Sequence, residues 1–130
     1  MYLNPFRGRK YGTRQAPPVK TPSQRDDRSR IPDYYLKDSR VLPGFPNWIT
    51  VDTPGHSWDS CCFFHGSTMS LVAGDTLLGS HKKGRVVLPS IYSNPRQTGW
   101  TIRKLKGLNP VYIYPCHGRS FHGEGLLDHL

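Results

Sequence analysis

Apolar positions recur in short runs along the chain, each broken within about eight residues by Gly, Pro, Asn or Asp. From Pro43 onward these runs predict strands at Trp48–Val51, Cys61–His65, Met69–Ala73, Arg85–Leu88, Trp100–Leu105 and Val111–Tyr114, each bounded by turn residues. Gly79 to Gly84, between Leu77–Leu78 and Val86–Leu88, reads as a hairpin loop. Before Pro43 the pattern is different. Residues 1–32 read as an extended basic arm with apolar anchors at Tyr2, Leu3, Phe6 and Tyr11, because Pro17, Pro18, Pro22 and Pro32 fix φ and remove donors. Asp33 can cap a short helix over 33–42 carrying Tyr34, Tyr35, Leu36 and Leu42. No helix of more than about ten residues is expected.

These elements predict a mostly irregular, extended chain with a few short antiparallel β-strands, little helix, and no independent compact domain. The expected organisation is a basic arm over 1–42, an irregular small β region over 43–115, and a Gly- and His-rich tail over 116–130. Composition supports that expectation. Apolar residues make up 35% of the chain, below ordinary globular usage, while 13 Gly and 12 Pro work against regular structure. Aromatics reach 12%, which is rich for a disordered tail and suits anchoring to a surface at many points. An extended chain buries little against itself, so its ordering entropy must be offset by docking on something larger.

Charge is zoned. Residues 1–40 carry ten Lys/Arg against four Asp, 41–80 carry three Asp and no base, and 81–106 carry seven Lys/Arg and no acid. Two basic zones flanking a neutral-to-acidic middle attract polyanions or acidic protein surfaces. The arm (Arg7, Arg9, Lys10) and the hairpin (Lys82, Lys83, Arg85) are the expected electrostatic contacts. Ribosomal RNA is a possible partner of such zones, although no known RNA-binding signature is present. Three cysteines and no secretory signal point to reduced thiols and an intracellular home. No apolar run is long enough to span a membrane.

Candidate chemistry is sparse. The metal candidate is the cluster Cys61, Cys62, His65, Cys116, His117 and His122; zinc wants four convergent donors, and because the adjacent Cys61 and Cys62 diverge in a strand, the set narrows to Cys62, His65, Cys116 and His122. The bland reading of the cysteine pair is small apolar residues beside Phe63 and Phe64. His56, Asp59, Ser60, Cys61 and His65 are of the right types for nucleophilic catalysis, yet no nucleophile elbow frames them. The expectation is no catalytic residue, no cofactor, no small-molecule substrate and a non-enzymatic role.

Turn-aromatic units recur: Asn4-Pro5-Phe6, Pro32-Asp33-Tyr34-Tyr35, Phe45-Pro46-Asn47-Trp48, Tyr92-Ser93-Asn94-Pro95 and Asn109-Pro110-Val111-Tyr112. This texture resembles that of microtubule inner proteins of ciliary and flagellar doublets. The resemblance implies tubulin as partner, an axonemal location and a doublet-stabilising role. The expected partner-binding aromatics are Tyr34, Tyr35, Trp48, Trp58, Tyr92, Trp100, Tyr112 and Tyr114. Supernumerary subunits of mitochondrial ribosomes or respiratory complexes share the texture and stand as the alternative, with a small zinc-stabilised domain as the third reading.

Overall fold

The computed structural model describes residues 34–130. Eight strands and one helix follow in order: β1 (Val41–Leu42), β2 (Phe45–Asp52), β3 (Cys61–His65), β4 (Ser70–Gly74), β5 (Leu78–Ser80), β6 (Arg85–Val87), α1 (Pro95–Leu108), β7 (Tyr112–Pro115) and β8 (Phe121–His122). Six strands form one sheet in the order β1-β2-β3-β4-β7-β8, and β5-β6 form a separate hairpin. The large sheet is mixed. β1 to β4 run as an antiparallel meander, then β7 lies parallel to β4. A parallel neighbour needs a crossover, and the β5-β6 hairpin plus α1 supply it.

Register explains which side chains are buried. Ile49, Phe64, Leu71, Ile113 and Phe121 stand opposite one another across five strands, with Val51 opposite Cys62. These residues, with Ala73, form the inner face and pack with Leu77, Val86, Ile102, Leu105 and Leu127 into one apolar cluster. The crossover thus folds back onto the sheet and covers that face.

This architecture corrects the expected fold class. Residues 34–130 build a β-rich unit with its own core, not an extended chain. Glycines and prolines mark turns between short strands here, and the strands share one continuous buried face. The helix expected over 33–42 does not form: 34–36 have no regular structure, and Val41–Leu42 are a strand. The strand expected at Trp100–Leu105 is instead part of the fourteen-residue helix α1, which also exceeds the expected helix length. Asn94 caps that helix through its side chain, which accepts from the N–H groups of Arg96 and Gln97, and Pro95 begins it. Asn109, left-handed at φ 47°, ends it. Thr101, Ile102 and Leu105 make the buried stripe, so Trp100 faces out at 63% exposure. Among the described residues no helix is long and apolar enough to cross a membrane.

Candidate functional site

β4 and β7 are parallel neighbours, so their carboxyl ends emerge side by side, where open α/β sheets commonly bind ligands. Asp75 follows β4 directly, and His117 lies two residues beyond β7. The two side chains meet there: His117 Nε2 lies 3.2 Å from Asp75 Oδ1. That oxygen is covered and accepts no hydrogen bond, so the contact has the distance of an ion pair without the alignment of a hydrogen bond. Both side chains are otherwise reached by solvent.

The backbone around the pair is tightly fixed. Gly74 adopts φ 53°, and its carbonyl accepts from the Cys116 N–H at 3.0 Å. Gly79 N–H donates to the His117 carbonyl at 2.9 Å, and Arg119 N–H donates to the Gly79 carbonyl at 3.3 Å. Gly79 and Gly118 approach so closely that a Cβ on either would collide with backbone of the other segment, and Gly118 also has φ 87°. Behind Asp75, the Thr76 hydroxyl bonds Thr53 Oγ1 at 2.8 Å, and Thr53 Oγ1 lies 3.4 Å from Cys62 Sγ. This buried polar chain anchors the turn that carries Asp75.

The expected metal set is not assembled. Cys62 points into the core, where burial pushes its thiol up, while His65 lies on the opposite face of β3. His65 Nδ1 is within 2.9 Å of the Thr68 hydroxyl. His122 stacks on Tyr112 at 6.2 Å. Cys116 is exposed, and all three thiols are free. Among the described residues no group of three His, Cys, Asp or Glu side chains converges as a metal site.

The nucleophile types also stay apart. Ser60 Oγ bonds Ser57 Oγ at 2.7 Å, Ser57 donates to Asp59, and His56 Nδ1 lies 2.7 Å from the Ile91 carbonyl. His56 and His65 thus spend their Nδ1 atoms on Ile91 and Thr68 rather than on Ser60, Cys61 or Cys62, and burial raises the Cys61 thiol. A groove of about 390 Å³ lined by Leu88, Tyr92, Ile102, Arg103, Lys106 and Leu130 shares no residue with the Asp75–His117 pair. The pair, not the groove, brings metal-ligating donor atoms together.

Of the expected partner contacts, Arg7, Arg9 and Lys10 lie outside the described residues. Tyr34, Tyr35, Trp58, Tyr92, Trp100, Tyr112 and Tyr114 are exposed, Trp48 is half-buried edge-on against His65, and Lys82, Lys83 and Arg85 stand exposed at the β5-β6 hairpin. Sequence reasoning missed Asp75, and it set His117 among the candidate donors only beside Cys116, not in the preferred set of four. Their available signal was that each follows a strand within two residues.

No protein-family model matches the sequence, and no curated protein matches it either. Solved structures do. The chain is similar to TTHA1429, a metallo-beta-lactamase family protein from Thermus thermophilus, with TM-score 0.57 and 20% identity over 72% of this chain and 32% of that one. It is also similar to TTHA1623, solved in a di-iron-bound form, with TM-score 0.53 and 26% identity over 71% of this chain and 44% of that one. The likeness establishes the fold. The chain spans under half the length of either structure.

Proposed function

We propose that the 34–130 unit supplies two ligands, Asp75 and His117, to a divalent transition-metal site, and that its role is metal-dependent. The observation that carries this is the meeting of a covered, hydrogen-bond-free carboxylate oxygen and an imidazole nitrogen, 3.2 Å apart, at the ends of two parallel strands. A covered carboxylate oxygen without a hydrogen-bond donor is costly unless a cation satisfies it, and a metal shared with the neighbouring imidazole is such a cation. Imidazole and carboxylate together suit zinc or iron. The di-iron form of TTHA1623 lends this reading support at the level of a shared fold.

The residues fit part of such a site. A catalytic zinc commonly takes three protein ligands and an open position, so two donors need others from outside the described residues. When bound, such a metal supplies a water acidified toward neutrality. The chain's own contribution is placement. The Gly74–Cys116 and Gly79–His117 hydrogen bonds hold Asp75 and His117 in register, so that little conformational entropy is lost on binding. An exposed His–Asp pair with no further role is the competing explanation, and it contributes little to stability. Calorimetric titration of the full chain with zinc and with ferrous iron separates the two. Stoichiometric binding that weakens at least about tenfold in Asp75→Asn and in His117→Ala supports the proposal. Equal uptake by wild type and the double variant sinks it.

A second reading, a non-enzymatic subunit of a larger assembly with the axonemal doublet first to be tried, draws on the exposed aromatics Tyr34, Tyr35, Trp58 and Trp100. Co-fractionation with salt-washed axonemes tests it, and recovery only in the soluble fraction counts against it.

A further inference from the structure

The outer face of the six-stranded sheet is rich in aromatics, interleaved with small polar residues and histidines, and has no covering layer among the described residues. Two rows cross it. Trp48, His65, Ser70, Tyr112 and His122 stand in one; Thr50, Phe63, Val72 and Tyr114 stand in the other. The small polar members, Ser70 and Thr50, are buried, and the Thr50 hydroxyl has no hydrogen-bond partner. The large members are not: Val72, Tyr112 and Tyr114 are 37%, 41% and 42% exposed. Leu42 and Phe45 extend the patch, forming with Trp48, Phe63 and Val72 a shallow apolar depression of about 230 Å³. A sheet with one covered face ordinarily turns polar side chains to water on the other. This sheet turns aromatics, and so large a contiguous apolar patch marks an interaction site.

We propose that the occupant of this face is a second copy of the chain, packed sheet to sheet about a two-fold axis. Charge selects it. The chain carries a net +9, so copies repel one another wherever their basic surfaces meet. Neither row contains a Lys, Arg, Asp or Glu, and Asp52, opposite Cys61 at the end of β2, is the one charged strand residue on this face, so two copies can approach here without opposing their basic surfaces. An acidic or nucleic-acid partner is drawn instead to Lys82, Lys83 and Arg85 on the hairpin or to the basic residues of α1. A two-fold axis near Phe63 and Val72 would set Trp48 of one copy against Tyr112 and Tyr114 of the other, an isologous contact of aromatic with aromatic. The size sets the strength: only β2 is long, and the strands of the sheet at about 3.4 Å per residue and about 4.8 Å spacing cover about 420 Å², about half of the roughly 800 Å² per partner of a standard interface, so a weak, concentration-dependent dimer is expected.

The test is sedimentation equilibrium of the metal-free full chain over a concentration series. The expected mass rises with concentration toward twice 14.8 kDa. The Val72→Lys/Tyr114→Lys double variant is expected to sediment as a monomer with an unchanged circular dichroism spectrum, while Trp100→Lys on the exposed side of α1 stays dimeric. If the double variant fails to fold, Tyr112→Ser is the milder change and is expected to weaken the dimer. A wild type that stays at 14.8 kDa throughout, or a dimer that the face variants leave intact, overturns the proposal. So does a monomer that associates only with a different protein.

Discussion

The two faces of the large sheet are built from the same strands and differ in what their side chains meet. On the inner face, Leu71, Ile113 and Cys62 are fully buried against α1 and the β5-β6 hairpin. On the outer face, Phe63, Val72, Tyr112 and Tyr114 alternate with them in sequence and remain partly in water. Stability therefore resides on one face, and the other is free to serve recognition. The Asp75–His117 pair belongs to neither. It sits at the strand ends, where backbone geometry, not burial, decides position.

The sharpest way to break this contrast is to truncate adjacent residues. Leu71→Ala empties a fully buried site and is expected to cost about 2–5 kcal/mol, while Val72→Ala next to it stays within about 0.5 kcal/mol. Urea denaturation of both variants, measured below the dissociation constant of any dimer, checks this. Equal losses would mean that the outer face is also part of the core. Gly118→Ala comes next. Its Cβ would strike the Gly79 backbone at a positive φ, and a loss of more than about 1 kcal/mol is expected, together with weaker metal uptake as His117 is displaced. A variant of native stability and native uptake would show that this close approach is not required.

The smallest effect separates burial from charge on the inner side. Lys104 of α1 pairs with Asp38, whose carboxyl also accepts from the Asp52 N–H. Burial alone would raise the Asp38 pKa, but the hydrogen bonds from Lys104 and Asp52 outweigh it and hold the carboxyl below its ordinary value. The pair is solvent-exposed and screened, so Asp38→Asn is expected to cost only about 0.2–1 kcal/mol. A depressed carboxylate pKa stabilises the fold above the unfolded value and loses that contribution as pH falls through the folded value. The difference between wild type and variant should therefore shrink below about pH 4 and be absent in stronger acid. A difference that grows on acidification contradicts the assignment.

Much of the strand pattern was legible. The runs at 48–51, 61–65, 69–73, 85–88 and 111–114 all fall on or within one residue of strands, because short apolar runs bounded by turn residues are local signals. The helix was not recognised. Gly99, Trp100, Thr101 and Ile102 are poor helix formers, and they masked the spacing of Ile102, Leu105 and Leu108 and the Asn94-Pro95 start. With α1 read as a strand, the crossover vanished, and with it the parallel pairing of β4 and β7. The candidate site was lost by the same step. Asp75 and His117 are 42 positions apart, and only that pairing brings them together. Read singly, each is a polar residue beside a glycine in a turn.

The central claim, that Asp75 and His117 are metal ligands, is tested most directly by cobalt substitution followed in the visible spectrum. The account predicts ligand-field bands in the full chain that Asp75→Asn and His117→Ala each abolish, while His122→Ala, on the outer face, leaves them intact. Bands that persist in the Asp75→Asn/His117→Ala double variant, or none in the wild type, would contradict it.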